Sequence, residues 1–350
     1  MKQGLVITSI SEPNEVLKKY AHDCNEKGID FYLIGDTKSP KDFYLPGCEY
    51  WSIERQQHLP FTLNKMLPIK NYARKNLGYL LAMQAGCELI YETDDDNYPI
   101  DAFYHHKKLS HDVFVLKNQG WVNIYKYFSN ANIWPRGYPL RYIKSPTVPL
   151  NLLSKEHVIC PIQQGLADDN PDVDAIYRLV NPLPIKFDGK EEVALSAYSW
   201  CPFNTQNTTF FKVAFPLMYL PSTCNFRQTD IWRSFIAQRI FWENNWSILF
   251  TPPTVFQDRN EHDLLVDFSD EIEGYLHNEH LCHLLSELDI KSGEQFIQQN
   301  MLNCYQKLVE VNLLKPEELA LLDAWFDDLS QLQLAKEEVP FQDSGYASSM

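Results

Sequence analysis

Strand-like and helix-like patterns alternate in the first part of the chain, and this alternation limits the possible folds more than any other feature. Residues 5–10 (LVITSI) and 29–34 (IDFYLI) have the β-branched and aromatic composition of buried strands. Between them, residues 12–28 carry apolar side chains at helical spacing and end in a glycine. Strands joined by crossover helices imply a parallel sheet that binds ligands at the carboxyl ends of its strands. The sequence therefore predicts an α/β fold.

A further predicted strand, residues 87–92, follows a predicted helix at about residues 70–85 and runs into Asp94, Asp95 and Asp96. Three adjacent carboxylates repel one another unless a cation offsets their charge. On an extended backbone, Asp94 and Asp96 point to one side and Asp95 to the other. The first two are candidates to bind Mg²⁺ or Mn²⁺ together with substrate phosphates. A solvated acidic turn is the alternative, because these residues are also typical of turns.

Three basic residues, Lys70, Arg74 and Lys75, lie near the start of the helix that precedes this strand. A helix N-terminus favours acidic side chains, so basic ones there suggest contact with a phosphate or with the aspartates. In particular, we expect Arg74 or Lys75 to brace Asp95. A solvated basic face explains the same pattern equally well.

Asp230 lies between Arg227 and Arg233 in an aromatic segment. This aspartate is a candidate general base for an acceptor hydroxyl, and either arginine could orient it or contact a phosphate. A structural aspartate at a helix N-terminus, paired with an arginine, is the alternative. His262, in a polar loop after an apolar strand, is a candidate metal ligand, although a single histidine is more often a surface residue.

Charge, cysteine usage and missing motifs exclude several classes of protein. The net charge of −15 argues against a general nucleic-acid-binding protein and against a polybasic membrane anchor. The eight cysteines are scattered without a CxxC pair, as expected of buried thiols in a reducing compartment. Neither a signal peptide nor an apolar run of about 18 residues is present, so we expect a cytoplasmic protein with no membrane span. The P-loop, GxGxxG, GxSxG and HExxH motifs are also absent.

The pattern becomes helical after about residue 270, with predicted helices at 275–288, 293–313 and 317–332. We predict an α/β domain at residues 1–270, a helical C-terminal subdomain at 271–334 and a disordered tail at 335–350. The C-terminal helices are a candidate surface for a partner.

Several segments, taken together and in order, resemble the STELLO family of glycosyltransferases. They are RKNLGYL (74–80), YETDDDNYP (91–99), CPFNTQNT (201–208) and the segment from AFPL through YLPST to TDIWR (214–233). A more distant similarity links the aspartates, RGYP (136–139) and residues 165–175 to the plant reversibly glycosylated polypeptides, which act as UDP-arabinopyranose mutases. The resemblance covers roughly residues 1–270.

The resemblance implies a GT-A-like, Rossmann-like fold, a UDP-sugar donor and Mn²⁺ or Mg²⁺ bound at the DXD motif. By position, Asp96 would be the main metal ligand, and Asp94 would face the metal or the ribose. Asp172 and Asp174 would lie near the sugar or the acceptor. The residues that would contact the donor are Arg74, Asp94, Asp95, Arg136 and Arg233.

The leading prediction is therefore glycosyl transfer from a nucleotide sugar to a glycan or protein acceptor that the sequence does not identify. The cation would stabilise charge on the leaving nucleotide, and Asp230 or Asp174 would deprotonate the acceptor or face the anomeric carbon. One alternative is a UDP-sugar mutase, which needs the same donor and metal but no acceptor. Another is a non-catalytic protein that binds nucleotide sugars or acts as a scaffold.

Overall fold

A computed structural model describes residues 1–259 and 263–337, and a ten-stranded mixed sheet forms its centre. The strands are β1 (Gln3–Thr8), β2 (Asp30–Ile34), β3 (Glu49–Trp51), β4 (Leu89–Thr93), β5 (Asn97–Pro99), β6 (Ser110–Leu116), β7 (Gly120–Trp121), β8 (Lys155–Asp168), β9 (Val193–Leu195), β10 (Ser199–Trp200), β11 (Asn207–Phe211) and β12 (Trp246–Gln257). The α-helices are α1 (Glu15–Lys27), α2 (Ile53–Gln56), α3 (Lys75–Gln84), α4 (Ala175–Val180), α5 (Phe226–Glu243), α6 (Leu264–Glu287), α7 (Ile297–Glu310) and α8 (Glu317–Glu337).

The sheet has the order β3-β2-β1-β4-β11-β8-β6-β9-β12-β5, and β7 pairs with β10 in a separate two-stranded ladder. Strands β1, β2 and β4 are mutually parallel, as predicted, and β3, which the sequence did not predict, pairs parallel with β2. The expectation of a parallel sheet is wrong beyond β4, because β11 runs antiparallel to both β4 and β8. The alternation of strands with the helices α1 and α3, on which the expectation rested, ends at β4 and does not extend to β11. The fold is therefore mixed α/β.

Helix α1 covers one face of the parallel strands. The side chain of Asn14 caps its N-terminus by accepting a hydrogen bond from the Leu17 N–H, and Gly28 ends it in the left-handed conformation with φ 67°. Leu5 and Ile7 pack on this side of β1, whereas Val6 packs on the opposite side with α3.

Helix α3 lies close against the other face of β1 and β2. The contact is close because of Gly78, since a Cβ at this position would lie 2.4 Å from Val6 Cγ1 and 2.9 Å from Ile34 Cγ1. The first residue of α3, Lys75, is thereby held beside the end of β4.

Helices α6, α7 and α8 share one hydrophobic core with α3, α5 and that face of the sheet. Asp328 accepts hydrogen bonds from the backbone N–H groups of Thr62 and Leu63, and Glu318 accepts them from Ser222 and Thr223. Helix α6 begins earlier than the sequence predicts, and α8 extends to Glu337. The remainder of the predicted tail lies outside the described residues. Within the part of the chain that is described, no helix combines the length and the hydrophobicity needed to cross a membrane.

Candidate functional site

A cavity of about 730 Å³ lies at the carboxyl ends of β1, β2 and β4. Thr8 and Ser9 line it at the end of β1, Ile34 at the end of β2, and the three aspartates at the end of β4. This is the edge of a sheet at which α/β proteins bind their ligands. Residues from α5 and from the loop before α4 form the opposite wall.

Asp95 is held by the loop between β1 and α1. Its Oδ2 accepts hydrogen bonds from Ser9 Oγ at 2.5 Å and from Ser11 Oγ at 3.0 Å, and its carbonyl oxygen accepts one from Asn14 Nδ2 at 2.8 Å. The expectation that Arg74 or Lys75 braces this carboxylate is therefore wrong. The Asp95 carboxylate lies beside the loop that follows β1, where its hydrogen-bond donors are the uncharged hydroxyl groups of Ser9 and Ser11.

Asp94 instead meets the basic residue at the start of α3. Its Oδ1 lies 3.2 Å from Lys75 Nζ and accepts a hydrogen bond from the Tyr72 hydroxyl at 2.9 Å. The Lys75 side chain is completely buried and also donates to the carbonyl oxygen of Thr93 at 2.8 Å. Burial raises the pKa of Asp94, and the charge of Lys75 opposes this effect. The hypothesis that a cation at this helix start meets the aspartates is confirmed.

Asp96 lies on the cavity side with uncharged hydrogen-bond partners. Gln257 Nε2 donates to its Oδ2 at 3.0 Å, and Asn97 Nδ2 donates to its Oδ1 at 3.1 Å. Burial, together with the negative charge of Asp94, raises the pKa of Asp96 to about 7. Its carboxylate thus lies where a bound cation would offset unfavourable charge.

The protein side chains alone do not complete a metal site. Across residues 1–259 and 263–337, no group of three or more His, Cys, Asp or Glu side chains is arranged to hold a metal ion. A cation at Asp94 and Asp96 would need further oxygen ligands from substrate or water, which is the usual arrangement for Mg²⁺. His262, predicted as a metal ligand, lies outside the described residues.

Arg136 joins two of the predicted catalytic carboxylates on the opposite wall. Its Nε and Nη2 donate to the two oxygens of Asp172 at 2.8 and 2.9 Å. Its Nη2 and Nη1 also donate to Asp230 at 2.8 and 3.1 Å. Burial disfavours the ionised form of Asp230, but the charges of Arg136 and Arg233 and the hydrogen bonds from Arg136 and Thr205 together outweigh this effect and lower the pKa of that carboxyl. Asp230 therefore stays ionised, as a weak base held by an arginine.

Two of the predicted site residues do not line the cavity. Asp174 caps α4, where it accepts hydrogen bonds from the Tyr177 N–H and from Trp134 Nε1, each at 2.7 Å. Arg233 forms a buried ion pair with Glu92 of β4. Asp174 therefore serves as a helix cap and Arg233 as one half of a buried ion pair, and both roles are structural.

Arg74 does line the cavity, but its guanidinium group already has partners. Its Nε donates to Gln56 Oε1 at 2.7 Å, and its other nitrogens lie 3.2 Å from the Leu67 carbonyl oxygen and from Asn64 Oδ1.

The structure thus brings one subset of the predicted site residues together at the cavity. This subset consists of Arg74, Asp94, Asp95, Asp96, Arg136, Asp172 and Asp230.

Tyr72 and Thr205 connect the two walls, and the sequence did not single them out. The Tyr72 hydroxyl lies 2.9 Å from Asp94 Oδ1 and 2.8 Å from Thr205 Oγ1. The Thr205 hydroxyl in turn lies 3.3 Å from Asp230 Oδ2, and the backbone N–H of Thr205 donates to the same oxygen at 3.1 Å. A continuous path of hydrogen bonds therefore runs from Asp94 to Asp230. The only available signal was the position of Thr205 within one of the family-like segments.

Comparison with known proteins supports the resemblance seen in the sequence. The family description "STELLO glycosyltransferases" matches residues 227–346, a range that includes α5, β12 and the C-terminal helices. The chain is 28% identical to "Probable glycosyltransferase STELLO2" and 26% identical to "Probable glycosyltransferase STELLO1", both from Arabidopsis thaliana. These alignments cover 94% of this chain and 44% of each relative, so the chain spans less than half the length of these relatives. The chain is therefore similar to these proteins over most of its length, and to the family model over residues 227–346.

Proposed function

We propose that this chain is a metal-dependent glycosyltransferase that uses a nucleotide sugar, a UDP-sugar in the first instance. The observation that carries the proposal is the position of Asp94 and Asp96 in the cavity at the end of a parallel strand. The similarity to proteins named as glycosyltransferases points to the same chemistry. A GT-A-like fold is part of the proposal, supported by the parallel order β3-β2-β1-β4 and by the cavity at its carboxyl edge.

In this proposal Asp96 and Asp94 would hold Mn²⁺ or Mg²⁺, with the donor's diphosphate oxygens completing the ligand set. The chemical type of the residues fits, because hard divalent cations favour carboxylate oxygens and need only one or two of them when phosphates contribute. The cation would supply positive charge to the leaving nucleotide. The ends of β1 and β2 would contact the nucleotide, since they form the adjoining part of the cavity.

The wall formed by Arg136, Asp172 and Asp230 would receive the sugar and the acceptor, a glycan or a protein. Arg136 holds both carboxylates in fixed positions, which suits them to orient hydroxyl groups by accepting hydrogen bonds. Because Asp230 is a weakened base, we assign it to positioning an acceptor hydroxyl as well as to accepting its proton late in the reaction.

The test is to incubate the chain with a panel of UDP-sugars in Mn²⁺ or in EDTA, and to measure released UDP and sugar products. Slow donor hydrolysis that requires Mn²⁺ is the expected result. Production of a ring isomer without UDP release would show a mutase instead. Metal-dependent UDP binding without turnover of any donor would show a non-catalytic protein.

Matched variants locate the activity. Asp96→Asn keeps the size of the side chain but removes its charge, and it should abolish Mn²⁺-dependent UDP binding. Asp112→Asn changes an aspartate that is 82% exposed and does not line the cavity, and it should bind UDP as the unaltered chain does. Equal affinity in both variants, measured by calorimetric titration, would contradict the site assignment.

A further inference from the structure

Three arginines that the proposed mechanism does not use line the cavity next to the aspartates. Arg178 lies on α4, Arg227 lies in the first turn of α5, and Arg259 follows the end of β12. Three separate elements thus bring guanidinium groups to one part of the cavity. We define these three side chains as the arginine cluster.

Arg178 is the member that forms no ion pair within the described residues, whereas Arg227 pairs with Glu271 and Arg259 with Asp267. Its Nη2 donates to the carbonyl oxygen of Pro171 at 3.0 Å, and its Nη1 lies 3.4 Å from Asn170 Oδ1. Its Nε is buried and makes no hydrogen bond within the described residues. Buried N–H donors in proteins are almost always paired, and a guanidinium group has five of them to satisfy. Arg178 therefore has donor capacity that residues 1–259 and 263–337 do not use.

The other two arginines are anchored on α6. Arg227 donates through Nε and Nη2 to Glu271, and Arg259 donates through Nη2 to Asp267 at 2.6 Å. These bonds fix the two guanidinium groups from one side. Burial lowers the pKa of Arg178 to about 10, and the positive charges of Arg259 and Arg227 contribute to this decrease. Arg259 and Arg227 are therefore close enough to Arg178 to disfavour its charge, an effect that Asp172 and Asp267 oppose and that a bound anion would also oppose.

The arginine cluster adjoins Asp96 through Gln257 and Asn170. Gln257 Nε2 donates to Asp96 Oδ2 at 3.0 Å, and the backbone carbonyl oxygen of Gln257 accepts a hydrogen bond from Asn170 Nδ2 at 3.1 Å. Asn170 is the residue beside Arg178, and Arg259 follows Gln257 closely in the chain. An anion on the cluster would lie next to the proposed cation site.

The arginines that the sequence selected for donor binding have less capacity to bind an anion. The guanidinium of Arg136 is shared between Asp172 and Asp230, and that of Arg233 is paired with Glu92. Arg74 is occupied by Gln56 and its neighbours. Among the arginines that line this cavity, the donors left without a partner in the described residues belong to the arginine cluster.

We propose that Arg178, Arg227 and Arg259 form a phosphate-binding subsite that holds a diphosphate group beside Asp96 without requiring a metal. Planar guanidinium groups bind phosphate oxygens through paired N–H donors, which gives both affinity and orientation. The identification of this group as the donor's diphosphate rests on the proposed function. A carboxylate on the sugar or acceptor would present similar chemistry, and the experiment separates the two.

The experiment measures binding of inorganic pyrophosphate to the full chain in EDTA by calorimetric titration. Arg178→Met keeps the length of the side chain and removes its charge, and it should weaken binding by at least about tenfold, as expected for loss of a charge-assisted contact. Arg178→Lys keeps the charge but not the paired donors, and it should give an intermediate affinity. Arg141→Met, which alters an arginine that is 70% exposed and does not line the cavity, should leave affinity unchanged.

A second variant tests the same subsite in case Arg178→Met does not fold. Arg259→Met alters a residue outside any helix or strand, and it should weaken pyrophosphate binding even if Arg178→Met does not fold. Folding of each variant is checked by circular dichroism. Pyrophosphate affinity that is the same in the unaltered chain and in the folded variants would overturn the proposal. Absence of pyrophosphate binding to the unaltered chain would also overturn it.

Two further comparisons identify the ligand and separate this inference from the proposed function. UDP should displace pyrophosphate in EDTA, whereas glucuronate should not; displacement by glucuronate alone would overturn the diphosphate assignment. If Arg178-dependent pyrophosphate binding is found but no UDP-sugar is turned over, the subsite stands and the proposed enzyme activity fails. If UDP-sugars are turned over equally by the unaltered chain and Arg178→Met, the activity stands and the subsite fails.

Discussion

Arg233 and Glu92 form a buried ion pair, with 2.6 Å between Arg233 Nη2 and Glu92 Oε1, that joins α5 to β4. Glu92 lies on β4 shortly before the aspartates, and Arg233 lies one helical turn after Asp230. The hydroxyl of Tyr79 on α3 also donates to Glu92. This pair therefore sets the separation between the two walls of the candidate site, without contacting the cavity.

Arg233→Met should destabilise the fold by about 3–5 kcal/mol, because it leaves the carboxylate of Glu92 buried without its cation. The free energy of unfolding is measured by urea denaturation. Arg141→Met, which removes an exposed arginine paired with Glu279, is the matched control and should change stability by less than about 1 kcal/mol. Similar losses in the two variants would show that the buried pair has no special structural role.

Tyr72→Phe should reduce donor turnover more than it reduces stability. The hydroxyl group bridges Asp94 and Thr205, and its removal breaks the hydrogen-bond path toward Asp230. We expect a stability loss of about 1 kcal/mol, typical of one hydrogen bond, and a fall in kcat of about tenfold or more. The kcat is measured by steady-state kinetics with the donor that the UDP-sugar panel identifies. A variant that is less stable but has an unchanged kcat would contradict the positioning role of Tyr72.

Asp174 makes the stability of the fold depend on pH. Burial is the main cause that raises its pKa to about 7, whereas an unfolded aspartate titrates near 3.9. Between about pH 4 and pH 7 the unfolded carboxyl ionises while the folded one retains its proton. The contribution of Asp174 to stability therefore falls as the pH rises, by up to about 1.4 kcal/mol per pH unit, and does not change further above about pH 7.

The variant Asp174→Asn isolates this effect, because an asparagine keeps an oxygen that can cap α4 but does not titrate. The free energy of unfolding of the unaltered chain minus that of the variant should be larger at pH 5 than at pH 7. Urea denaturation at both pH values gives this difference. A difference that stays constant or increases toward pH 7 would show that the folded carboxyl is ionised throughout.

Gly78→Ala should destabilise the fold despite the better helix propensity of alanine. Alanine favours a helix by about 1 kcal/mol over glycine, but overpacking of a dense contact costs about 1–3 kcal/mol. The added Cβ would lie 2.4 Å from Val6 Cγ1, so α3 must move away from β1. Thermal unfolding of this variant and of Gly78→Ala combined with Val6→Ala tests the cause, since the second change should recover part of the loss.

The amino-acid sequence by itself determined the features that depend on local pattern. Strands β1 (Gln3–Thr8) and β2 (Asp30–Ile34) overlap the predicted segments 5–10 and 29–34, and Gly28 ends the helix between them, because these signals act within a few residues. The aspartates fell at the end of β4 for the same reason. The ordered family-like segments identified the relatives, since their residues are visible without a structure.

Only the tertiary structure decided which charged groups meet, because ion pairs between distant segments depend on how helices dock and not on local spacing. Arg136 forms ion pairs with Asp172 and Asp230, whereas Arg233 forms one with Glu92 of β4. Because β11 runs antiparallel to β4, Thr205, which lies just before β11, is positioned between the two walls of the cavity. Arg178, Arg227 and Arg259, far apart in sequence, converged on one part of the cavity through α4, α5 and β12. Because burying an unpaired charge is costly, the buried charged side chains have partners within the protein, and those that line the cavity can still bind a ligand.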